Sequence, residues 1–355
     1  MYADDLIIMS TTQEGLQKSL DALNEYCKKW KLKVNHNKTK CMTFSKGAIR
    51  NKTNFVLDSK NITNTKEYKY LGITINSRSC SFTPTLIDLS SKANKAIYSL
   101  TSKIPLKSAP IKTMLKLFDT CIVPILLYGS EVWAPFMNHD WVKWDATHIE
   151  KIHTQFLKRL LGVNRSTTNI LTRSEMGRHS LQEKILARNI NYIKYVESKD
   201  PLSLVKQAAN YEKLHMEERN TFYSIIKQSQ QELGNHNLKT LSRPKLNKLI
   251  REKFDTAWKT QLLSFPKAET YSRFKLNVKF ESYLSDIKIR KHRVTYTKFR
   301  LSDHSLMIEK GRHSRPIIPR DQRFCPFCPA EVEDETHFLI QCIKCQNRND
   351  IFRTA

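Results

Sequence analysis

Two sets of residues in this chain have the types and spacing to hold metal ions. Asp4 and Asp5 are adjacent carboxylates in Met-Tyr-Ala-Asp-Asp. The apolar residues around them predict a hairpin over Met1–Met9, with both acids at its tip. Carboxylate oxygens suit hard Mg²⁺, which keeps several waters and takes one or two protein carboxylates together with phosphate oxygens. The second set is Cys325-Pro-Phe-Cys328, then eight residues to His337, then four to Cys342. A Cys-x₂-Cys knuckle converges two sulfurs on one ion, and a histidine and a third cysteine complete a tetrahedral structural Zn²⁺ site. Four such ligands leave no open position for catalysis. Cys345 follows Cys342 closely and could stand in as the fourth ligand. The run Glu333-Asp334-Glu335-Thr336 could supply an acceptor for the His337 imidazole.

Elements must position these groups. Thr11 with Glu14 three residues on reads as a capping box. A helix should follow, because Leu16, Leu20, Leu23, Cys27 and Trp30 recur on one stripe. Lys28, Lys29 and Lys31 suit its C-terminal end. Leu32-Lys33-Val34 and Met42-Thr43-Phe44 read as short strands around Asn35-His36-Asn37-Lys38-Thr39. Tyr70–Ile75 reads as a further strand in which Gly72 allows a bulge.

Beyond this quarter, residues 84–200 are helix-rich, and Pro124 should kink or end the apolar helix Ile111–Tyr128. Residues 200–245 are polar and weakly periodic, with breaks at Asn235-His236-Asn237 and Ser242-Arg243-Pro244, so a hinge or linker is expected there. Lys245–Arg300 is basic with interleaved aromatics. That pattern fits an amphipathic helix pair with core aromatics, or stacking on single-stranded bases.

The chain has 355 residues, with 60 Lys+Arg against 34 Asp+Glu and a net charge of +26. That excess calls for a polyanionic partner, and nucleic acid is the commonest. The start lacks a basic n-region, so no secretory signal is expected. The longest apolar stretch, Cys121–Tyr128, is too short to span a bilayer. An intracellular protein of cytoplasm or nucleus is expected, with its eight cysteines as thiols or metal ligands rather than disulfides.

Tyr2-Ala3-Asp4-Asp5, the helix ending near Trp30, Asn35-x-x-Lys38-Thr39 and Tyr70-Leu71-Gly72 follow one another in an order that resembles the second half of a reverse-transcriptase palm of the non-LTR, LINE-like retrotransposon type. Leu126–Trp133, Phe156–Gly162, Glu175-Met176-Gly177 and the texture of Phe299–Arg348 resemble later segments of the same family. The resemblance implies RNA-directed DNA synthesis with Mg²⁺ on an RNA template and a DNA primer or target. Asp4 would be the main Mg²⁺ ligand and Asp5 a weaker one, with Lys38 near the triphosphate. Tyr2 would lie beneath the primer terminus, and Tyr70, Leu71 and Gly72 would grip the primer backbone. Lys158 and Arg159, with Lys151 and Arg165, would face phosphates from a helical thumb. Arg300, Arg312, Arg320 and Arg323 would contact RNA around the knuckle.

The expected fold is α+β and predominantly α. It comprises a partial palm with a small antiparallel sheet over 1–80, a helical thumb over 81–200, a basic helical linker region over 201–290 and a CCHC zinc knuckle over 291–355. The resemblance also implies a third carboxylate from a strand well before the Asp pair, and none precedes Asp4 here. The chain alone is therefore expected not to polymerise. A nucleic-acid-binding module without chemistry, or a retroelement relic, is the alternative.

Overall fold

The computed structural model describes residues 4–45, 54–78, 81–106, 109–137, 140–217, 221–234 and 241–344. Tyr2 and Cys345 lie outside them. The chain divides into two compact units, Met1–Asp88 and Leu89–Ala355.

The first unit is built around α1 (Gln13–Lys29). Its N-cap is Thr12, not Thr11: the Thr12 hydroxyl accepts from the Gly15 N–H at 3.0 Å. A cap must stand three residues before the donor it satisfies, and Thr12 does so. The helix ends in a Schellman motif, with Lys31 left-handed (φ 55°), Leu32 N–H on the Cys27 carbonyl and Lys31 N–H on the Lys28 carbonyl. Leu32 is thereby used in the cap, and Leu32–Val34 forms no strand. Trp30 lies past the last turn and is 59% exposed, so the apolar stripe is shorter than its spacing predicts.

Six short strands follow: β1 (Lys40–Cys41), β2 (Val56–Leu57), β3 (Lys60–Asn61), β4 (Thr63–Asn64), β5 (Glu67–Tyr70) and β6 (Ile73–Asn76). They make three two-stranded pairings, of which β1·β4 is parallel, rather than one antiparallel sheet. Strand pairing begins at Lys40, ahead of the expected Met42–Phe44. Leu20, Cys41, Phe55, Leu57 and Ile62 form the core, with Leu16 and Val34 against it. The Gln17 amide donates to the Val56 carbonyl (2.8 Å) and accepts its N–H (3.1 Å), tying α1 to β2.

The second unit is almost wholly helical. After α2 (Thr83–Lys103), α3 (Ile111–Leu117) runs through a π-helical turn, Phe118–Ile122, into α4 (Val123–Leu126). Pro124 neither ends nor simply kinks this helix. The Val123 N–H reaches back five residues to the Phe118 carbonyl, and the widened turn accommodates a residue that has no N–H to give. Then come α5 (Ser130–Trp133), α6 (Trp141–Asp145), α7 (His148–Leu161), α8 (Asn169–Glu175) and α9 (Gln182–Glu197). Phe118 and Phe156 stack with ring centres 4.5 Å apart, and Trp133 and Trp144 are fully buried.

The stretch expected to be a hinge carries α10 (Leu204–Leu214) and α11 (Phe222–Glu232). Ser242-Arg243-Pro244 is the start of α12 (Arg243–Ser264), with Pro244 in the first turn, where its missing N–H costs nothing. Ile190, Ile193, Phe222, Leu233, Leu246 and Ile250 pack α9, α11 and α12 together. The last elements are α13 (Glu269–Phe274), α14 (Tyr283–Asp286), α15 (Arg290–Arg300) and α16 (Met307–His313). Gly177, at φ 66°, lets the chain pass Phe280: a Cβ there would stand 2.4 Å from the Phe280 nitrogen. Met176 and Phe280 pair in a single antiparallel bridge beside it.

Candidate metal centre and nucleic-acid contacts

The cysteine cluster assembles from two short pieces of chain. Arg323–Cys325 pairs with Glu331–Glu333: Cys325 N–H donates to the Glu331 carbonyl (2.8 Å) and Glu333 N–H to the Arg323 carbonyl (2.9 Å). The intervening turn returns Cys328 N–H to the Cys325 carbonyl at 3.3 Å. A π-helical turn, His337–Gln341, carries the histidine and hands on to Cys342. One ligand atom from each of Cys325, Cys328, His337 and Cys342 lies within 4.8 Å of the others. The Cys325 and Cys342 sulfurs are 3.9 Å apart. His337 is 2% exposed, and neither imidazole nitrogen has a hydrogen-bond partner. A buried imidazole with no partner is costly unless something else occupies it. Three sulfurs and that nitrogen fit a soft or borderline divalent ion.

The acidic run does not serve the imidazole. Asp334 accepts the His337 backbone N–H at 2.7 Å. Glu335 accepts from Ser302 (3.1 Å), His304 (3.0 Å) and Thr270 (2.9 Å), and Glu333 from Met307 N–H (2.6 Å). These carboxylates brace the knuckle against α13 and the start of α16. Burial alone would raise the Glu335 carboxyl, but His304, Thr270 and its own backbone N–H hold it at about 2.

Asp4 and Asp5 are exposed, and Asp5 sits in a single β-bridge. The expected hairpin does not continue: Leu6–Ser10 is not strand, and Leu6, Ile7 and Met9 are exposed. A strand needs a paired neighbour, and none is described along Leu6–Ser10, although Ile8 packs against the core of the first unit. Nor do Asp4 and Asp5 join any group of three or more ligands among the described residues.

Lys38 is exposed in a tight turn closed by Asn35. The Asn35 carbonyl accepts from Lys38 N–H (3.1 Å), Thr39 N–H (3.0 Å) and the Thr39 hydroxyl (2.9 Å). Asn and Thr at these positions are thus turn chemistry. The Tyr68 hydroxyl, on β5, donates to the Lys38 carbonyl at 3.1 Å. Tyr70, Leu71 and Gly72 do not lie on one strand. Leu71 (φ 46°) and Gly72 (φ 83°) form the two-residue turn of the β5·β6 hairpin, between paired Tyr70 and Ile73. Both central residues left-handed is the twist that suits a hairpin.

The basic residues fall into two groups. Arg159 and Arg165 are exposed, whereas Lys158 is 7% exposed and donates to the Arg165 carbonyl at 2.8 Å. Burial lowers the Lys158 ammonium to about 8 against the pull of Asp145. All three line a cavity of about 380 Å³ that also takes in Asn94 and Gln155, neither of which the sequence marks as a site.

Each of the C-terminal arginines has a partner within the chain, although Arg320 stays exposed. Arg300 pairs with Glu175 and Glu281, and Arg312 with Glu309 (3.0 Å) and the Pro266 carbonyl (3.3 Å). Arg320 pairs with Glu269, and Arg323, 7% exposed, donates to the carbonyls of Ile318 (3.0 Å) and Ile308 (2.9 Å). No described helix is long and apolar enough to cross a membrane.

Over residues 1–75 the chain matches the family described as reverse transcriptase (RNA-dependent DNA polymerase). Its curated relatives include the RNA-directed DNA polymerase from mobile element jockey of Drosophila funebris, 25% identical over 179 residues, which are 48% of this chain and 18% of that protein. The probable RNA-directed DNA polymerase from transposon BS of Drosophila melanogaster is 29% identical over 141 residues, 38% of this chain and 16% of that protein. The jockey protein of Drosophila melanogaster is 24% identical over 144 residues. The chain thus spans less than a fifth of the length of these relatives. No solved structure matches it.

Proposed function

We propose, for a chain whose first 75 residues match the reverse-transcriptase family, that it works in RNA-directed DNA synthesis by a non-LTR retrotransposon. Its share of that work is the Asp4-Asp5 turn, the Tyr70–Ile73 hairpin and a basic helical body ending in a zinc knuckle. The observation that carries this reading is the family match, which begins at the Tyr-Ala-Asp-Asp segment and ends inside the hairpin.

In this reading Mg²⁺ would bind at Asp4 with Asp5 beside it, and would stabilise charge on the transferring phosphate. Lys38 would lie toward the triphosphate and Tyr2 toward the primer end. The Asn35 turn sets the Lys38 backbone, and Tyr68 ties that turn to the hairpin carrying Tyr70, Leu71 and Gly72. Zn²⁺ would be held by Cys325, Cys328, His337 and Cys342 in a structural role, since four strong ligands saturate a tetrahedral ion. Template RNA and a DNA primer are the partners, and the work lies inside the cell.

Two carboxylates with no third ligand among the described residues favour a second reading, in which the chain binds nucleic acid without chemistry. One experiment separates the two. An RNA template annealed to a DNA primer is titrated with the full chain at several salt concentrations, and extension with Mg²⁺ and deoxynucleotides is followed in parallel. Binding that weakens with salt, with a log-log slope near about −4 for roughly six phosphates, supports both readings. Extension that is lost in Asp4→Asn selects the polymerase, and binding without extension selects the module. No binding at any salt would sink both.

A further inference from the structure

The cavity between α2 and α7 lies away from the Asp-Asp turn and the knuckle, and its lining points to one kind of ligand. Lys158, Arg159 and Arg165 put three cations on it and no carboxylate faces in. Asn94 and Gln155 add amides, each able to donate and accept, while Ile97 and Phe156 form an apolar wall. A metal cation finds no anionic ligand there, and a bare inorganic anion would leave the wall unused. A ligand with a phosphate, an apolar face and an edge of donors and acceptors uses all three surfaces. At about 380 Å³ the cavity falls at the small end of pockets that enclose a small ligand.

One of the three cations is fixed in place. Lys158 is 7% exposed, and its ammonium holds the Arg165 carbonyl, which ties the loop after α7 to the wall of the pocket. Asn164 pins the same loop from the other side, its N–H donating to Asp303 at 2.8 Å. An anion in the pocket would restore to Lys158 the charge stabilisation that burial removes.

We propose that this pocket takes one unpaired nucleotide of a nucleic-acid strand, its phosphate on Arg159 and Arg165 and its base against Ile97 and Phe156. An unpaired base has a free face and a free edge to offer, whereas a duplex keeps its base faces stacked and offers mainly phosphates. The inference rests on the nucleic-acid reading above and adds a single-stranded subsite to it.

The test uses the full chain and a short fluorescein-labelled oligo(dT), with fluorescence anisotropy at fixed ionic strength. Arg159→Gln with Arg165→Gln should weaken binding by about tenfold or more, the usual scale for charge-assisted hydrogen bonds. Asn94→Trp, which puts a bulky side chain into the lining without changing charge, should weaken it comparably. The exposed pair Lys103→Gln with Lys143→Gln removes the same charge elsewhere and should weaken it far less. The same variants should bind oligo(dT) paired with oligo(rA) nearly as well as the parent does. Thermal melts of all variants check that folding is intact.

Equal losses from both charge pairs, or no loss from Asn94→Trp in a folded protein, would overturn the pocket. Displacement of the strand by inorganic phosphate alone at constant ionic strength would reduce it to an anion site and also overturn it. If the parent chain binds neither probe, the nucleic-acid reading itself fails, which is a different result from binding that ignores the pocket.

Discussion

Glu175, fully buried, and Arg300, half-buried and 125 residues away, form one ion pair, with Arg300 Nε 2.5 Å from Glu175 Oε1 and a terminal nitrogen 3.3 Å from Oε2. Glu175 ends α8 and Arg300 ends α15. The Tyr271 hydroxyl donates to the same carboxylate at 2.7 Å, and the guanidinium lies over the rings of Phe274 (4.4 Å), Tyr283 (5.2 Å) and Tyr296 (5.7 Å). The arginine that sequence marks for a phosphate is therefore engaged inside the fold, and it joins two stretches that sequence assigns to different domains.

Breaking that pair should be expensive. Arg300→Ala leaves the Glu175 carboxylate buried without its cation, so urea unfolding should show a loss of about 3 kcal/mol or more. Arg159→Gln, on an exposed side chain, should change stability by less than about 0.5 kcal/mol. Similar losses in the two variants would show that the ion pair is not holding α8 to α15.

The knuckle should fail together with its support. Purified full chain should carry close to one zinc per molecule by elemental analysis, and Cys325→Ser should carry little. Because Glu335 reaches Ser302, His304 and Thr270, removing the metal with a chelator should speed amide exchange around 302–309 as well as around the ligands. Exchange confined to 323–344 would contradict this bracing.

Stability should fall with acid in two stages. His153 is 1% exposed, stacks on Phe118 and bonds Glu150 at 2.9 Å. Burial lowers its pKa below the ordinary 6.5, against the pull of Glu150, so the unfolded chain takes up a proton that the folded chain refuses. Stability is then lost as pH drops below about 6.5. Burial would raise the Glu150 carboxyl, but His153, Arg173 and the Leu181 N–H outweigh it and hold it at about 2, against an ordinary 4.5. The stability this group contributes is present above 4.5 and is lost between there and about 2. Melting temperature measured from pH 7 to pH 5 should fall less steeply in His153→Gln than in the parent chain.

The β5·β6 turn offers a trade between stability and binding. Leu71 is held at φ 46°, where a side chain costs about 1 kcal/mol and Asn is tolerated. Leu71→Asn should raise stability by up to about 1 kcal/mol. If Leu71 contacts the primer, the same change should weaken binding of a primer–template duplex. Strengthened folding with unchanged duplex binding would remove Leu71 from the contact set.

Local chemistry was legible wherever a few neighbouring residues decide the outcome. The helix from residue 13, the Cys-x₂-Cys knuckle with His337 and Cys342 and the predominantly helical character all follow from spacing, capping and donor type. The errors were of short range too. Thr11 and Thr12 differ by one residue in cap register, Leu32 went to a helix cap instead of a strand, and Tyr70–Ile75 folded back on itself. In each case two local patterns fit the same residues, and hydrogen bonding to a partner chose between them.

What the sequence determined by itself is the inventory: an excess of positive charge, a four-ligand soft metal set, an Asp pair and helices with apolar faces. Only the tertiary structure decided which charges stay available. Arg300, Arg312, Arg320 and Arg323 look alike in sequence to Arg159 and Arg165, yet the first four find carboxylates or carbonyls and the last two face a cavity. The reason is that a guanidinium is satisfied by whatever the fold brings within reach: Glu309 meets Arg312 within one helix, whereas Glu175, Glu269 and the Ile308 carbonyl reach Arg300, Arg320 and Arg323 only when distant parts of the chain meet.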